Sequence, residues 1–265
     1  MGSVIRLIDL SSAQPAQNVD RDLLVANGYA GAYIRCGEGL HDSSRDSFLA
    51  HANNLVRPDM AIRIGAYHVI APSSGNPEGQ AENLVKWSAI GTMLMPYAID
   101  AERNRPLGQD AKDWVKFLGA YRGRLQQLNV RHILYTYTSF QQEMVLAGIP
   151  KVDWFLARYP QLHYPGADAE FLRQSVLQHA RQYAAAVAKG DAPTAATEAR
   201  AKARDAAALA RLGRMPEPLG TAPAGAVLWQ WGGDANASTV PGVHDVLCDQ
   251  SEFLGNSDTW ANFWA

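Results

Sequence analysis

The stretch Met93-Leu94-Met95-Pro96-Tyr97-Ala98-Ile99-Asp100-Ala101-Glu102 is an apolar run that ends in two acids separated by one residue. Short apolar runs with polar boundaries are typical of buried strands. Side chains two residues apart in a strand point to the same face, with Cβ atoms about 6–7 Å apart. The stretch therefore predicts a strand over residues 93–100, with Asp100 and Glu102 as neighbours at its C-terminal end.

Similar apolar runs recur along the chain and alternate with longer stretches of helical periodicity. We predict strands over 4–9, 31–36, 62–69, 93–100, 131–136, 154–159 and 226–231, and helices over 20–27, 44–56, 78–89 and 109–128. Alternation of this kind is typical of parallel βα units. The predicted fold class is α/β, an irregular TIM-like β/α barrel.

One segment, about 166–224, departs from this alternation because it is rich in alanine and helical throughout, with a turn at 189–193. It predicts an Ala-rich helical hairpin inserted into a single catalytic domain of residues 1–265. Its first helix is expected to pack through an apolar stripe formed by Leu172, Val176, Ala180, Tyr183 and Val187. Its basic residues are interpreted either as a solvated helix face or as a contact to an anionic surface: Arg200, Lys202, Arg204 and Arg211.

The composition limits the class of protein. The 265 residues are 47% hydrophobic and 19% charged, and the formal net charge is −2. These values fit a globular protein and lack the basic footprint of a nucleic-acid binder. Cys36 and Cys248 have neither metal-type nor disulfide-framework spacing, so we expect two buried thiols.

Targeting and membrane signals are missing from the sequence. No run of about 18 apolar residues predicts an integral membrane segment. The N-terminal residues show no Sec signal peptide, so we expect a protein made in the cytoplasm that needs another route to act outside. The sequence also predicts no cofactor and no metal site.

Two further acids follow apolar runs in the same way as Asp100 and Glu102. Asp9 ends the run 4–9, and Asp249 ends the run 246–249. Barrel enzymes carry their catalytic groups at the C-terminal ends of the strands, so these four acids are expected to converge there. Crowded carboxylates raise the pKa of at least one member, which can then act as the general acid that cleaves a glycosidic bond. The alternative for each acid alone is a helix cap.

Aromatic residues support a carbohydrate ligand less strongly. Several lie at or near predicted strand ends, where flat rings can stack on sugars: Tyr67, His68, Tyr135, Tyr137, Trp154, Tyr159, Trp229 and Trp231. Barrel cores bury such residues routinely, so this set is compatible with either role.

The ordered motifs resemble those of the glycoside hydrolase family 25 (Chalaropsis-type) lysozymes. The matching segments are Asp9-Leu10-Ser11-Ser12-Ala13-Gln14, Ile34-Arg35-Cys36-Gly37-Glu38-Gly39, Gly65-Ala66-Tyr67-His68-Val69, Asp100-Ala101-Glu102, Leu134-Tyr135-Thr136, Trp154-Phe155-Leu156-Ala157-Arg158-Tyr159, Trp229-Gln230-Trp231 and Asp249-Gln250-Ser251-Glu252-Phe253. The likeness covers residues 4 to about 160 and 226–254. Arg35 stands where the family usually has Lys, and Gly37 where it has Thr.

The resemblance implies hydrolysis, with retention, of the β-1,4 bond between N-acetylmuramic acid and N-acetylglucosamine in peptidoglycan. Glu102 would be the general acid and then the base. Asp100 would be either the nucleophile or the group that steers the substrate's 2-acetamido group. Asp9 and Asp249 would tune this pair. The implied substrate contacts are Glu38, Tyr67, His68, Tyr135, Tyr137, Trp154, Tyr159, Trp229 and Gln230.

Two alternatives to a freely acting muramidase remain at this point. One is a peptidoglycan-binding module with weak or no turnover. The other keeps the enzyme and changes its setting, to an endolysin released by a holin, a phage-tail lysin or a delivered cell-wall effector. In that setting the insertion would contact the envelope or a protein partner.

Overall fold

Strands and helices alternate along the chain in the predicted order. The computed structural model describes residues 5–88, 95–102, 110–157, 161–163, 167–211, 217–219, 222–232, 240–243, 248–255 and 257–263. The strands are β1 Ile5–Leu10, β2 Tyr29–Glu38, β3 Arg63–Val69, β4 Tyr97–Asp100, β5 His132–Tyr137, β6 Trp154–Ala157, β7 Gln161–His163, β8 Glu217–Leu219, β9 Ala226–Gly232 and β10 Asp249–Phe253. The helices are α1 Arg21–Ala26, α2 Arg45–Leu55, α3 Pro77–Trp87, α4 Ala111–Gln127, α5 Thr138–Leu146, α6 Ala167–Ala188, α7 Ala192–Arg211 and α8 Ser257–Phe263.

Eight strands close into a barrel in the order β1-β10-β9-β6-β5-β4-β3-β2. All neighbouring pairs are parallel except those of β10, which runs antiparallel to β1 and β9. The predicted irregular β/α barrel is therefore confirmed. Strand β4 begins at Tyr97, later than predicted, directly after Pro96, which has no N–H to donate; residues 93 and 94 lie outside the described part.

Alternation along the strands divides the buried residues into two layers. The inner layer, inside the barrel, includes Leu7, Tyr33, Ala98, Tyr135, Phe155, Leu228 and Phe253. The outer layer, between the strands and the helices, includes Ile8, Ile34, Ile99, Leu134 and Leu156. Asp9 follows Leu7 by two residues, and Asp100 follows Ala98 by two. Both acids consequently face the interior of the barrel.

A helical arm is inserted between the neighbouring barrel strands β6 and β9. Helices α6 and α7 pack against each other, and β7 pairs antiparallel with β8 at the base of the arm. At 1.5 Å per residue, each helix is about 30 Å long. No other described element packs extensively on either helix. Among the described elements, the two helices of the arm therefore pack mainly on each other.

The interface inside the arm differs from the predicted apolar stripe. Val176 is buried as expected, but Tyr183 and Val187 are 43% and 54% exposed. Polar groups occupy the interface instead: Ser175 Oγ donates to Asp205 Oδ2 at 2.5 Å, and His179 Nδ1 lies 2.6 Å from Glu198 Oε2. The alanines of α7 offer little apolar surface, so these partly buried polar contacts add to the packing of the buried Val176, Ala186, Ala195 and Ala206 in holding the two helices together.

Both cysteines are buried free thiols, as the sequence predicts. Within the described residues, none of the helices combines the length and the apolar character needed to span a membrane.

Candidate active site

Three of the predicted acids meet at one end of the barrel for two different reasons. Asp9 and Asp100 lie near the C-terminal ends of the parallel strands β1 and β4. Asp249 is the first residue of β10, which corrects the prediction that it ends a strand. Because β10 is antiparallel, its start pairs with the end of β1, and Asp249 lies opposite Asp9. Glu102 lies two residues beyond the end of β4, close enough for its charge to act on Asp100.

A side-chain amide joins two of these carboxylates. Gln230 Nε2 donates to Asp9 Oδ2 at 3.1 Å and to Asp249 Oδ2 at 3.2 Å. Tyr135 Oη donates to Gln230 Oε1 at 2.5 Å. Because the Tyr135 hydroxyl donates a hydrogen bond to the amide oxygen, the orientation of the Gln230 amide is fixed and its NH₂ group points toward the acids. The structure thus brings Gln230 and Tyr135 to the acids, as the supports of Asp9 and Asp249.

Asp9 has a pKa close to neutral pH. Its Oδ2 also accepts a hydrogen bond from Ser251 Oγ at 2.9 Å, whereas Oδ1 is buried with no partner among the described residues. Burial raises the pKa of Asp9 to about 7, against the opposing effect of the hydrogen bonds from Ser251 and Gln230. Asp9 therefore changes charge in the neutral range. Ser251 was not singled out from the sequence, although it faces the same interior as Asp249 two residues earlier.

Asp100 occupies a more demanding environment. The residue is only 8% exposed, and its Oδ1 has no hydrogen-bond partner in the described part of the chain. Burial raises its pKa well above the ordinary value, and the negative charges of Glu102, Asp9 and Glu38 raise it further. The positive charge of Arg35 acts in the opposite direction. Neither Asp9 nor Asp100 caps a helix, unlike Asp20 and Asp110 at the starts of α1 and α4.

Two of the predicted aromatic contacts, Tyr67 and Tyr137, lie near the C-terminal ends of their strands. Tyr67 is inward-facing on β3, and burial together with the charge of Asp100 raises the pKa of its phenol well above 10, so it stays neutral. Tyr137 is half-buried at the end of β5, and its ring stacks on Phe140 with centroids 5.7 Å apart. Both rings are placed at the end of the barrel that carries the acids.

His68 points away from the acids, into the outer layer. Its Nδ1 lies 3.0 Å from Tyr121 Oη and its Nε2 lies 3.1 Å from the carbonyl oxygen of Gly39. Burial lowers its pKa to about 4, so the ring is neutral. A carbonyl only accepts, so Nε2 donates to Gly39 and Nδ1 accepts from Tyr121. The structure does not bring His68 to the mouth of the barrel.

Two predicted tryptophan contacts are also turned away from the acids. Trp154 begins β6, at the opposite end of the barrel, and packs in the outer layer at 8% exposure. Trp229 is 4% exposed and lies between the inward-facing Leu228 and Gln230, so it points outward. Tyr159 lies outside the described residues.

A β/α barrel with a cluster of carboxylates at the C-terminal mouth is an arrangement typical of glycoside hydrolases. The sequence profile of glycosyl hydrolases family 25 matches residues 8–186. The chain belongs to this family and is a glycoside hydrolase.

Solved structures share the fold of this chain at low sequence identity. The bacterial lysozyme from Streptomyces coelicolor is 16% identical, with a TM-score of 0.61 over 99% of this chain and 97% of its own. The muramidase from Acremonium alcalophilum is 18% identical, with a TM-score of 0.59 over 98% of each chain. The catalytic domain of endolysin ply40 from the Listeria monocytogenes bacteriophage P40 is 16% identical, with a TM-score of 0.59 over 98% of this chain and 97% of that one. No curated protein sequence matches this chain.

Proposed function

We propose that this protein is a peptidoglycan muramidase, which hydrolyses the β-1,4 bond between N-acetylmuramic acid and N-acetylglucosamine with retention. The observation that carries the proposal is the placement of Asp100, followed by Glu102, beside Asp9 and Asp249 at the barrel mouth of a family 25 hydrolase. The fold shared with proteins described as a lysozyme, a muramidase and an endolysin supports the same substrate.

Glu102 is proposed as the general acid and then the base. It is half-buried, whereas Asp100 is almost fully buried, so Glu102 is the more accessible of the two for the glycosidic oxygen. In the first step Glu102 donates its proton to the leaving oxygen as the bond to C1 breaks. In the second step Glu102 takes a proton from the water that attacks C1. Two displacements at C1 give retention.

Asp100 is proposed to steer the substrate's 2-acetamido group. Its Oδ1 has no hydrogen-bond partner among the described residues and is suited to accept the acetamido N–H, so that the acetamido carbonyl oxygen attacks C1 and forms an oxazolinium ion. The alternative is direct attack by Asp100 on C1. A glycan with N-deacetylated muramic acid separates them, because steering predicts loss of hydrolysis on that glycan and direct attack predicts that hydrolysis persists.

Mass spectrometry of muropeptides after digestion tests the proposed cleavage. We expect new reducing ends on N-acetylmuramic acid, made visible by borohydride reduction. Reducing ends on N-acetylglucosamine would instead indicate a glucosaminidase. Binding to insoluble peptidoglycan without any new reducing end would indicate a binding module without turnover.

We also propose that the arm docks the enzyme on the cell envelope or on a protein partner. The arm carries exposed cations at Arg181, Arg200 and Arg204, and Phe171 on α6 is 72% exposed. Replacing residues 164–216 by a short turn between β7 and β8 removes both helices. We expect unchanged turnover of soluble glycan fragments and at least several-fold slower lysis of intact cells. Equal lysis of intact cells by both proteins would contradict a docking role.

The route to the wall is proposed as holin-type release or another form of delivery. Expression inside bacteria with and without a co-expressed holin tests it, since lysis only with the holin is the expected result. Lysis without the holin would mean that the chain reaches the wall unaided.

A further inference from the structure

Strand β2 contains a β-bulge next to the acid cluster. Arg35 and Glu38 are three residues apart, a spacing that points side chains to opposite faces of a regular strand. Here Arg35 pairs with Tyr67 and Glu38 pairs with Val69, two residues further along β3. β2 therefore contains one extra residue, and the bulge turns Arg35 and Glu38 to the same face.

That face is the interior of the barrel at its mouth. Arg35 follows Tyr33, a residue of the inner layer, by two positions. Arg35 Nη2 donates to Glu38 Oε2 at 2.5 Å, and the two side chains are 27% and 24% exposed. The bulge thus creates an ion pair that is partly shielded from water and faces the carboxylates.

Packing on the outer side of β2 fixes the bulge. A Cβ atom on Gly37 would lie 2.4 Å from the ring of Trp87, which is itself 7% exposed. Cys36, on the bulge, is fully buried in the outer layer. The family usually has Thr at the position of Gly37. In this chain Trp87 packs directly over Gly37 and leaves no room for a side chain there, so the packing of Trp87 supports the bulge.

Three buried atoms at this mouth lack hydrogen-bond partners among the described residues: Nε of the Arg35 cation, and Oδ1 of the Asp100 and Asp9 carboxyl groups. The charged groups that act on Asp100 are the carboxylates Glu102, Asp9 and Glu38 and the guanidinium of Arg35. Tyr67 also faces it as a neutral phenol. Arg35 is thus the group that opposes the accumulation of negative charge around Asp100.

We propose that Arg35 is a positioning residue that keeps Asp100 ionised while a glycan occupies the mouth, and that Glu38 holds Arg35 in place. The inference rests on the proposed function, in which an anionic Asp100 accepts the acetamido N–H. A bound glycan displaces water and lowers the effective dielectric constant, so the influence of the cation on Asp100 increases at the moment of reaction. In this proposal Glu38 acts through Arg35 instead of contacting the sugar.

The pH dependence of kcat/KM on purified peptidoglycan tests this role with Arg35→Met and Arg35→Lys. Methionine keeps much of the apolar stem and removes the charge, whereas lysine keeps the charge. Loss of the cation raises the pH at which Asp100 ionises. The acidic limb of the Arg35→Met profile should therefore move upward by about one pH unit, a loss of about tenfold below the limb. The Arg35→Lys limb should stay within about 0.3 unit of the wild type.

Arg57→Met is the matched control, because Arg57 is 49% exposed and pairs with Asp22 on the outside of the barrel. Its profile should match that of the wild type. An unshifted limb in Arg35→Met, or an equal loss at every pH, would overturn the proposal, since the second result indicates a purely structural role.

A titration of the Asp100 carboxyl by ¹³C NMR provides a readout that needs neither substrate nor turnover. In the resting protein Asp100 should titrate at higher pH in Arg35→Met, or in Arg35→Gln if the Met variant does not fold, than in the wild type. An identical titration would overturn the proposal even if the enzyme is active. An inactive wild type with a shifted titration would count against the proposed function alone.

Discussion

Glu102→Gln is expected to reduce the release of reducing ends from peptidoglycan by about 10²–10⁴-fold. Glutamine preserves the size of the side chain and removes the proton that the leaving glycosidic oxygen requires. KM should change little, because the variant removes a step of the chemistry and few ground-state contacts. Turnover measured with a reducing-end assay, alongside a thermal melt that shows the fold intact, checks this expectation.

Glu143→Gln is the matched control for that variant, since Glu143 is an exposed acid on α5. It should keep wild-type turnover. If Glu102→Gln keeps full activity while Glu143→Gln behaves as expected, Glu102 is not the general acid and another carboxylate at the mouth must take that role.

Asp100→Asn is expected to reduce turnover by about 10²–10³-fold and, at neutral pH, to increase the free energy of unfolding. The loss of turnover follows from removal of the charge that steers the acetamido group. The gain in stability follows from the burial of Asp100, whose Oδ1 has no partner among the described residues. A neutral amide does not pay the desolvation cost of a buried carboxylate.

The pH dependence of this gain has a definite sign. The pKa of Asp100 in the folded state lies above its ordinary value of 3.8, so the folded wild type binds a proton more tightly than the unfolded chain does. Wild-type stability therefore falls as the pH rises from about 4 through the folded-state pKa. Asparagine does not titrate. The stability difference between Asp100→Asn and the wild type should consequently be small near pH 4 and grow toward neutral pH.

Urea unfolding of both proteins across this pH range measures the difference. Asp153→Asn is a suitable control, because Asp153 is exposed and precedes β6 at the far end of the barrel. It should show no comparable gain. A loss of stability in Asp100→Asn at neutral pH would mean that the carboxylate is stabilised by its surroundings and that its pKa is not raised.

Much of the fold and part of the site follow from apolar runs and their alternation. Asp9 and Asp100 end runs whose described apolar members are mostly buried, so their position at the barrel mouth is predictable from the sequence. Alternation also distinguishes between neighbouring residues of one strand. Gln230 is adjacent to Trp229, and neighbours in a strand face opposite sides, so only one of them can point inward; the structure selects Gln230.

Other features depend on interactions between distant segments. The direction of β10 is set by its pairing with β1 and β9, and no local pattern shows that Asp249 begins a strand. The bulge in β2 interrupts the alternation of side chains between the two faces of the strand. Arg35 and Glu38 therefore share a face although they are three residues apart. The one local signal for it is Gly37, whose need to be glycine becomes evident only when Trp87 packs over it.

The paired strands β7 and β8 have a consequence for how this protein can change over evolutionary time. Gln161 lies opposite Leu219, so the two ends of the inserted arm leave the barrel side by side. The entropic cost of closing a loop, expressed as a free energy, increases by only about 0.6 kcal/mol for each doubling of the loop length. Segments of very different length and composition can therefore replace one another above this strand pair while the barrel and its acids remain as they are. At this strand pair, inserted segments can therefore be gained or replaced during evolution without changes to the catalytic site.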